Sequence, residues 1–316
     1  MIKKVALDCA LAILSLWLIL AAGFNSSNAA GVAAAGLGFW LCLSSVAVLV
    51  AALAMRKALV ASALAVLVVV TSIWFHVIPS APFGTRSTNG STVKVLQLNT
   101  LLDTASPTAL AKLAQENKVD FAVLAETNSK FRPWHNHRLL AELPNQFAQD
   151  ANYPNLGNTI FSRWPLVATG EVRGTTNPAI WATAFVRGNL VTLLAVRSQN
   201  PLVNRTQWKN DLSKIGAWVS MQRPQVHLIV AGDFNAAFGH SPFDEMLAKY
   251  GLKDAAAAVN WPWQRFTFPS KPINAPLMQI DHILVTSSYS VNSVVRSFMP
   301  ITDHSVTVAT LVIARE

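Results

Sequence analysis

The segment Gly232-Asp233-Phe234-Asn235 places an acid and an amide two residues apart, directly after a hydrophobic run that predicts a buried strand. Side chains two apart on an extended chain can point the same way. Beside a metal ion, Asp233 can orient or deprotonate an attacking water, and Asn235 can position that water or hold a phosphate oxygen. An Asp-x-Asn at a strand end is also common turn chemistry, so the segment alone leaves both interpretations open.

Two further polar residues stand where predicted strands end. Asn99 closes the alternating stretch of residues 93–99, and Glu126 follows directly on the apolar residues 121–125. An acid placed directly after a buried strand needs a specific partner, because burying an unpaired charge is costly. A hard cation such as Mg2+ is a partner of that kind.

Two Asp-His pairs complete the candidate set: Asp281-His282 and Asp303-His304. Neighbouring side chains of a strand face opposite ways, so only one member of the first pair can face a common site. We expect Asp281 to face it and to fix the tautomer of His304, which leaves His282 as a packing residue. In the second pair, a turn would let Asp303 reach a metal ion while a protonated His304 stabilises negative charge on a phosphate.

The elements that must position these residues follow from hydrophobic patterning and helix caps. The predicted strands are residues 93–99, 121–125, 159–162, 183–187, 190–196, 227–231, 280–286 and 305–313, and the predicted helices are residues 106–117, 204–223 and 241–250. This mixed order predicts a two-layered sheet core with helices outside it.

From Val93 to its end, the chain resembles the endonuclease/exonuclease/phosphatase superfamily. The motifs that carry the resemblance are Gln97-Leu98-Asn99, Leu124-Ala125-Glu126, Gly157 through Pro165, Gly232-Asp233-Phe234-Asn235, Ile280-Asp281-His282 and Thr302-Asp303-His304. The resemblance implies an α/β fold, namely a four-layered α/β sandwich of two packed mixed sheets flanked by helices.

The resemblance also implies an activity and a set of roles. It implies hydrolysis of a phosphodiester or phosphomonoester by metal-activated water, with a nucleic acid, a phospholipid head group or a small phosphodiester as substrate. Asp233 and Asn235 would handle the water, and Asp281 would orient His304. The implied cofactor is Mg2+ or Mn2+, held by Glu126, Asn99 and Asp303.

One position departs from the family pattern. Many members that resemble this chain have a His where the strand 190–196 ends, whereas this chain has Arg197, followed three residues later by Asn200. An Arg cannot act as a general acid at ordinary pH, but its guanidinium could clamp a phosphate, and Asn200 could add a hydrogen bond. The alternative hypothesis is a catalytically impaired binding or scaffold protein on the same fold.

The N-terminal region has the composition of a membrane segment. Hydrophobic residues make up 52% of the chain and charged residues 13%, and the imbalance is concentrated near the start. Residues 1–80 contain three apolar runs, at about residues 5–24, 30–55 and 58–78, each near the length that crosses a bilayer. We predict three transmembrane helices, a Pro-, Gly- and Ser-rich linker at residues 81–91, and a catalytic domain at residues 92–316.

The distribution of basic residues predicts the orientation. Lys3 and Lys4 precede the first run, and Arg56 and Lys57 separate the second from the third, so the positive-inside rule places the N-terminus in the cytoplasm. Three crossings would then place the catalytic domain on the extracytoplasmic side of the inner membrane, in a multi-pass protein whose partner is the lipid bilayer. No protein partner is inferred from the sequence.

Charge and aromatic residues bear on the substrate only weakly. Residues 92–316 contain 20 Lys and Arg against 15 Asp and Glu, which suits a polyanionic substrate or an anionic membrane surface without singling out nucleic acid. The cluster of Trp261, Trp263 and Phe266 could form a stacking platform or a lipid contact, or could fold onto the core.

Overall fold

The structure is a computed structural model that describes residues 2–78, 90–127, 138–149, 157–222, 227–272 and 274–314. The chain divides into two compact units. One consists of Met1–Ile78 and Ala237–Asp244, and the other of Pro79–Ala236 and Glu245–Glu316. Residues 81–89 of the predicted linker lie outside the described residues, and residues 90 and 91 already belong to the first strand.

The N-terminal unit contains helices α1 (Ile2–Gly23), α2 (Ala29–Gly36), α3 (Gly38–Ala54) and α4 (Ala58–Trp74). Among the described residues, α1 is the one helix that is by itself long and apolar enough to cross a membrane, and the α2–α3 pair qualifies only if it counts as one span bent by 67°. The prediction of three transmembrane helices was therefore wrong. Glycines on both sides of Leu37 weaken helix propensity at the break, and α4 has only 17 residues.

The segment Ala237–Asp244 is held in this unit by polar and aromatic contacts. The His240 ring accepts a hydrogen bond from the Ala237 N–H through Nδ1, at 2.9 Å, and its Nε2 lies 2.8 Å from the Val32 carbonyl oxygen. Asn25 Nδ2 donates to the Gly239 carbonyl oxygen at 3.0 Å. These hydrogen bonds satisfy polar groups that are buried in the unit.

The second unit is built on two six-stranded mixed sheets. The first sheet has the order β11-β12-β1-β2-β4-β3, with β1 Gly90–Asn99, β2 Phe121–Thr127, β3 Asn145–Gln149, β4 Gly157–Ser162, β11 Tyr289–Phe298 and β12 Ser305–Ala314. The second has the order β5-β6-β7-β8-β10-β9, with β5 Leu166–Val172, β6 Ala179–Val186, β7 Asn189–Arg197, β8 His227–Asp233, β9 Lys253–Asp254 and β10 Asp281–Val285. The pairs β1–β2 and β7–β8 are parallel, and the other pairs are antiparallel.

Helices flank the two sheets. They are α5 (Pro107–Asn117), α6 (Arg138–Glu142), α7 (Arg205–Ser220), α8 (Ser241–Tyr250), α9 (Ala255–Val259) and α10 (Pro262–Arg265). Two of them begin as their sequences predict, because the side chains of Ser106 and Asn204 cap the first turns of α5 and α7. The predicted α/β fold of two mixed sheets flanked by helices is confirmed.

The alternation of β1 shows how the core positions polar residues. Val93 and Val95 belong to a cluster that contains residues of both sheets, whereas Leu96 and Leu98 pack with α5 on the other face. Continuing the period of two, Gln97 and Asn99 lie on the same face as Val93 and Val95. The strand therefore delivers two buried polar side chains toward the second sheet, at its carboxyl end.

Candidate active site

The strand directions bring the predicted residues to one edge of the two sheets. The parallel strands β1 and β2 end at Asn99 and next to Glu126, and the parallel strands β7 and β8 end at Arg197 and Asp233. Strand β10 is antiparallel to β8 and β12 is antiparallel to β1, so both begin at this edge, the first with Asp281 and the second just after His304.

Asn99 joins the two sheets at this edge. Its Nδ2 donates to Asp233 Oδ2 at 2.9 Å and to Glu126 Oε1 at 3.0 Å, while its Oδ1 accepts from the Leu101 N–H at 3.0 Å. The amide is thus fixed on both sides and bridges two carboxylates without adding charge.

A β-bulge redirects Glu126. The pairing of β2 with β4 shifts between Ala125 and Thr127, and Glu126 adopts a left-handed backbone with φ of 60°. The Thr100 hydroxyl hydrogen-bonds with the carbonyl oxygens of Ala125 and Glu126, at 3.0 and 3.1 Å. In a regular strand the Glu126 side chain would point to the opposite face, and the bulge instead turns it toward Asn99.

The turn after β8 is built for close backbone approach. Gly232 has φ of 147°, and a Cβ there would overlap the carbonyl oxygen of Val196. Asp233 Oδ1 accepts from the Asn235 N–H at 2.8 Å, and Asn235 Nδ2 donates to the Ser198 carbonyl oxygen at 3.1 Å. The Asp233 carboxylate is consequently held by Asn99 on one oxygen and by the turn on the other.

Asp281 and His304 form a buried pair. His304 Nδ1 lies 2.7 Å from Asp281 Oδ2, and Gln97 Nε2 donates to Asp281 Oδ1 at 2.8 Å. One polar atom of each of Asp233, Asp281 and His304 lies within 4.8 Å of the others. Asp281 therefore holds the imidazole beside Asp233.

The electrostatics of this pair favour a charged imidazole. Burial lowers the pKa of His304, but the charge of Asp281, its hydrogen bond and the charges of Asp233 and Asp303 outweigh burial and raise that pKa to about 9. For Asp281, burial raises the pKa, but the charge of His304 and the hydrogen bonds to the carboxylate outweigh it and leave the pKa below the ordinary value. At neutral pH the pair consists of an imidazolium and a carboxylate.

The pKa of Asp233, unlike that of Asp281, is raised by its surroundings. Burial, followed by the charge of Asp281, raises its pKa to about 6 against the partial compensation of His304 and Arg197. Asp233 is therefore ionised at neutral pH, yet close enough to neutrality to exchange a proton.

The donor set fits a hard divalent cation. Asp303 Oδ1 is buried without a hydrogen-bond donor among the described residues, and its one described ion pair reaches His304 Nε2 at 3.8 Å. The Thr302 hydroxyl donates to the Asn99 carbonyl oxygen at 2.8 Å, which ties the Asp303 turn to Asn99. Carboxylate oxygens are ligands that Mg2+ and Mn2+ prefer, whereas Asn99 turns its amide nitrogen toward Glu126 and its amide oxygen toward the Leu101 N–H.

The sequence matches the model of a known protein family. Residues 96–304 match the model of the Endonuclease/Exonuclease/phosphatase family. The chain belongs to this family. A search of curated protein sequences found no significant match.

Solved structures with the family fold resemble this chain at low identity. A family protein from Beutenbergia cavernae is 17% identical over 71% of this chain and 72% of its own, with a TM-score of 0.54. A mannosyl-6-phosphatase from Bacteroides thetaiotaomicron is 17% identical over 70% of this chain and 100% of its own, with a TM-score of 0.53. The human Nocturnin catalytic domain is 16% identical over 71% of this chain and 95% of its own, with a TM-score of 0.52. At such identities the resemblance shows the fold alone.

The guanidinium of Arg197 forms an ion pair with Glu126 in the candidate site. Arg197 Nη2 and Nε donate to Glu126 Oε1, at 2.8 and 3.0 Å, so the guanidinium is committed to a carboxylate. The amide oxygen of Asn200 accepts a hydrogen bond from the Leu202 N–H at 2.8 Å, within the loop that follows β7. Both side chains thus contact other protein groups, and the binding of substrate phosphate by Arg197 and Asn200 stays a prediction.

His282 is more than the packing residue that was predicted. On the face of β10 opposite Asp281, its Nδ1 lies 2.7 Å from Asp254 Oδ2 and its Nε2 lies 2.8 Å from the Ala236 carbonyl oxygen. The pair is fully buried, and Asp254 also caps α9 through the Ala257 N–H. It anchors the chain directly after Asn235. No local motif marks Asp254, which lies 28 residues from His282 in the sequence.

The three aromatic residues Trp261, Trp263 and Phe266 do not share one environment. Phe266 is buried, whereas Trp261 and Trp263 are exposed, and their rings stack in parallel with centroids 5.5 Å apart. The interpretation of all three residues as one platform is therefore not supported.

Proposed function

We propose that this chain is a membrane-anchored, divalent-metal-dependent phosphoesterase that cleaves a phosphodiester or phosphomonoester with water as the nucleophile. The observation that carries the proposal is the buried group of Asp233, Asp281 and His304, with ligating atoms within 4.8 Å of one another and Asn99 bonded to Asp233. A carboxylate beside an oriented imidazole suits the stabilisation of a phosphoryl group under attack by water.

Asp233 is the proposed base. Its carboxylate is fixed by Asn99 and by the Asn235 N–H, so its position does not depend on the substrate. Fixed geometry of this kind lowers the cost of ordering the attacking water. Asn235, anchored on the Ser198 carbonyl oxygen, holds the turn that presents Asp233.

His304 is the proposed electrophile toward the phosphoryl oxygens. Asp281 Oδ2 accepts a hydrogen bond from His304 Nδ1, so the Nε2 atom of the same ring points away from Asp281. A cation held in a buried site stabilises developing negative charge more strongly than it would in water. Gln97 supports this arrangement by donating to the second oxygen of Asp281.

Glu126, Asn99 and Asp303 would hold the Mg2+ or Mn2+ ion. When bound, the ion would act as a Lewis acid that neutralises charge on the phosphate. The support is the Asp303 oxygen without a hydrogen-bond donor and the tie between Thr302 and Asn99.

The proposed reaction consumes one water molecule. The water oxygen forms a new bond to phosphorus while the bond from phosphorus to the leaving oxygen breaks. Asp233 takes one proton from the water, and the leaving oxygen takes one proton from solvent. Protonation by solvent is assigned because Arg197, at the end of β7, cannot give up a proton at ordinary pH.

We also propose that the N-terminal helices anchor the chain with its N-terminus in the cytoplasm. Lys3 and Lys4 at the start of α1 support this orientation. An odd number of crossings, of which α1 alone is the simplest case, would place the catalytic residues outside the cytoplasm. Reporter fusions at the C-terminus test this: activity only of a periplasmic reporter is expected, and activity of a cytoplasmic reporter would overturn the orientation.

One observation favours a second candidate, a binding or scaffold protein without catalytic activity. Arg197 places its charge on Glu126, a proposed metal ligand, and could compete with the ion. Arg197→His distinguishes the two candidates. Turnover by the wild type removes the scaffold hypothesis, whereas turnover by the His variant alone would support it.

The proposed function is tested with the full-length chain in detergent micelles. The substrates are bis(p-nitrophenyl) phosphate, p-nitrophenyl phosphate, single-stranded DNA and phospholipids, each with Mg2+ or Mn2+. Turnover of at least one substrate is expected, with the Asp233→Ala variant several orders of magnitude slower. Equal rates for wild type and variant on every substrate would refute the proposal.

A further inference from the structure

Two histidines hold a single peptide group directly after the turn that follows β8. The turn reaches Asn235, and the peptide group in question joins Ala236 to Ala237. Its carbonyl oxygen, on Ala236, accepts a hydrogen bond from His282 Nε2 at 2.8 Å. Its N–H, on Ala237, donates to His240 Nδ1 at 2.9 Å. Because a peptide group is planar, hydrogen bonds at both of its polar atoms fix its orientation.

His240 carries this restraint to the N-terminal helices. A carbonyl oxygen can only accept, so His240 Nε2 donates to the Val32 carbonyl oxygen at 2.8 Å, and Nδ1 is left as the acceptor for the Ala237 N–H. The ring is 3% exposed, and hydrogen bonds at both of its nitrogens select one neutral tautomer. Val32 belongs to α2. One buried side chain therefore ties the peptide group after the turn to helix α2.

Other contacts hold the segment Ala237–Asp244 in the same unit. Asn25, in the loop between α1 and α2, donates from Nδ2 to the Gly239 carbonyl oxygen at 3.0 Å and to Ser241 Oγ at 2.8 Å. Gly239 has φ of 97°, and a Cβ there would overlap the ring of Phe75, which is buried directly after α4. The placement of the segment therefore follows that of the N-terminal helices.

The turn after β8 is thus fixed at both ends, by different parts of the chain. At its start, Asp233 pairs with Arg197 of β7 and with Asp281 of β10, so the second sheet sets its position. At its end, Asn235 has a left-handed backbone with φ of 47°, which is uncommon for a residue other than glycine and must be held by its surroundings. The His240 contact with Ala237 restrains the chain just beyond this residue.

We propose that His240 is a positioning residue of the phosphoesterase site, through which helices α1 and α2 hold the turn of Asp233 and Asn235 in the geometry for attack by water. This inference rests on the proposed function and extends it, because the N-terminal helices then support catalysis in addition to anchoring the chain. His240 acts through the peptide group after Asn235. Its loss should lower kcat and leave KM nearly unchanged, because the base is misplaced while the contacts to substrate phosphate are kept.

Substitutions at His240 separate its two hydrogen bonds. The side-chain oxygen of His240→Asn can still accept from the Ala237 N–H, but the side chain is too short to reach Val32, whereas His240→Leu loses both bonds. The full-length chain in detergent is assayed on bis(p-nitrophenyl) phosphate with Mn2+. We expect kcat to fall at least about tenfold in both variants, with KM within about twofold of the wild type.

Two substitutions in the N-terminal helices and their first loop complete the set. Asn25→Ala removes the hydrogen bonds to Gly239 and Ser241, and it should also lower kcat with little change in KM. Trp17→Phe is the matched control, since it removes the Nε1 hydrogen bond to the Ala34 carbonyl oxygen, at 3.0 Å, without touching the segment Ala237–Asp244. It should keep the kcat of the wild type. All rates are measured below the melting temperature of every variant.

The outcomes separate the inference from the proposed function. Wild-type kcat in His240→Asn would show that the bond to α2 does not matter, and it would overturn the inference while the proposed function stands. An equal fall of kcat in Trp17→Phe, or a raised KM with unchanged kcat in the His240 variants, would overturn it as well. Absence of turnover by the wild type on every substrate of the proposed function would refute that function and the inference together.

Discussion

Arg197 Nη2 lies 2.8 Å from Glu126 Oε1. A fixed cation is therefore paired with a carboxylate that we assign to metal binding. The pair is largely shielded from water, which strengthens the interaction of both groups with a nearby ion. The charge of the site follows from this pair: four carboxylates, namely Glu126, Asp233, Asp281 and Asp303, face the two cations Arg197 and His304. The surplus of negative charge matches one divalent ion.

Removing the Arg197 cation is expected to tighten metal binding. In Arg197→Met, the dissociation constant for Mn2+ measured by titration calorimetry should fall by about tenfold, because repulsion between the guanidinium and the ion is lost. Arg187→Met is the matched control, since it breaks an ion pair with Asp120 at the opposite edge. Weaker binding by Arg197→Met would show that holding Glu126 in place matters more than its charge.

Metal binding should stabilise the fold through Asp303. An ion that binds only the folded state raises the melting temperature in proportion to the logarithm of its concentration. We expect the melting temperature of the wild type to rise with added Mn2+ and to return with a chelator. Asp303→Asn should abolish most of the rise, whereas Asp8→Asn should not. An equal rise in both variants would place the ion elsewhere.

The wild type should have a bell-shaped pH dependence of kcat/KM. Asp233 must be ionised, so activity should rise as pH increases through its pKa of about 6. His304 must be protonated, so activity should fall as pH increases through its pKa of about 9. A rate measurement from pH 5 to pH 10 checks both limbs. A profile without an alkaline limb would show that the His304 cation is not required.

The alkaline limb should move when Asp281 is neutralised. The charge of Asp281 and its hydrogen bond are the causes that raise the pKa of His304, and burial opposes them. In Asp281→Asn the limb should therefore shift to lower pH by at least about one unit, and NMR titration of the imidazole should show the same shift. Gln97→Met, which removes a donor to Asp281 while keeping its charge, should shift the limb less. An unmoved limb would exclude His304 as its source.

The Asp254–His282 pair should be important for stability. Deleting one partner of a fully buried pair leaves the other uncompensated, so His282→Ala should lower the free energy of unfolding by about 3–5 kcal/mol. His227→Ala, on the neighbouring strand β8, removes a ring that packs against Tyr289 and should cost about 1 kcal/mol. Equal losses in chemical denaturation would contradict the assigned role of His282.

The sequence predicted the strands that carry the site because their buried residues form unmistakable apolar runs. Strands β1, β2, β7 and β8 lie within a few residues of their predicted limits. Strands β3, β5 and β11 were missed, because their mostly half-exposed or exposed residues lack a strong hydrophobic pattern. The break between α2 and α3 was missed as well, since an apolar composition does not reveal a bend.

The candidate site was predictable as a set of strand ends but not as a set of contacts. Asp233 and Glu126 could be selected because acids that follow buried strands need partners. The partners themselves depend on tertiary packing, as in the Arg197–Glu126 pair, whose members lie 71 residues apart. The same holds for Asp254 and His282, which no periodicity connects.

The central claim is that the group of Asp233, Asp281 and His304 hydrolyses phosphoesters. Its most direct test is the rate of p-nitrophenol release from bis(p-nitrophenyl) phosphate by the full-length chain with Mn2+, compared with Asp233→Asn and with the surface variant Lys112→Met. The account predicts turnover by the wild type and Lys112→Met at equal rates, with a loss of at least about a hundredfold in Asp233→Asn. Equal rates for all three proteins, with the variants folded, would contradict it.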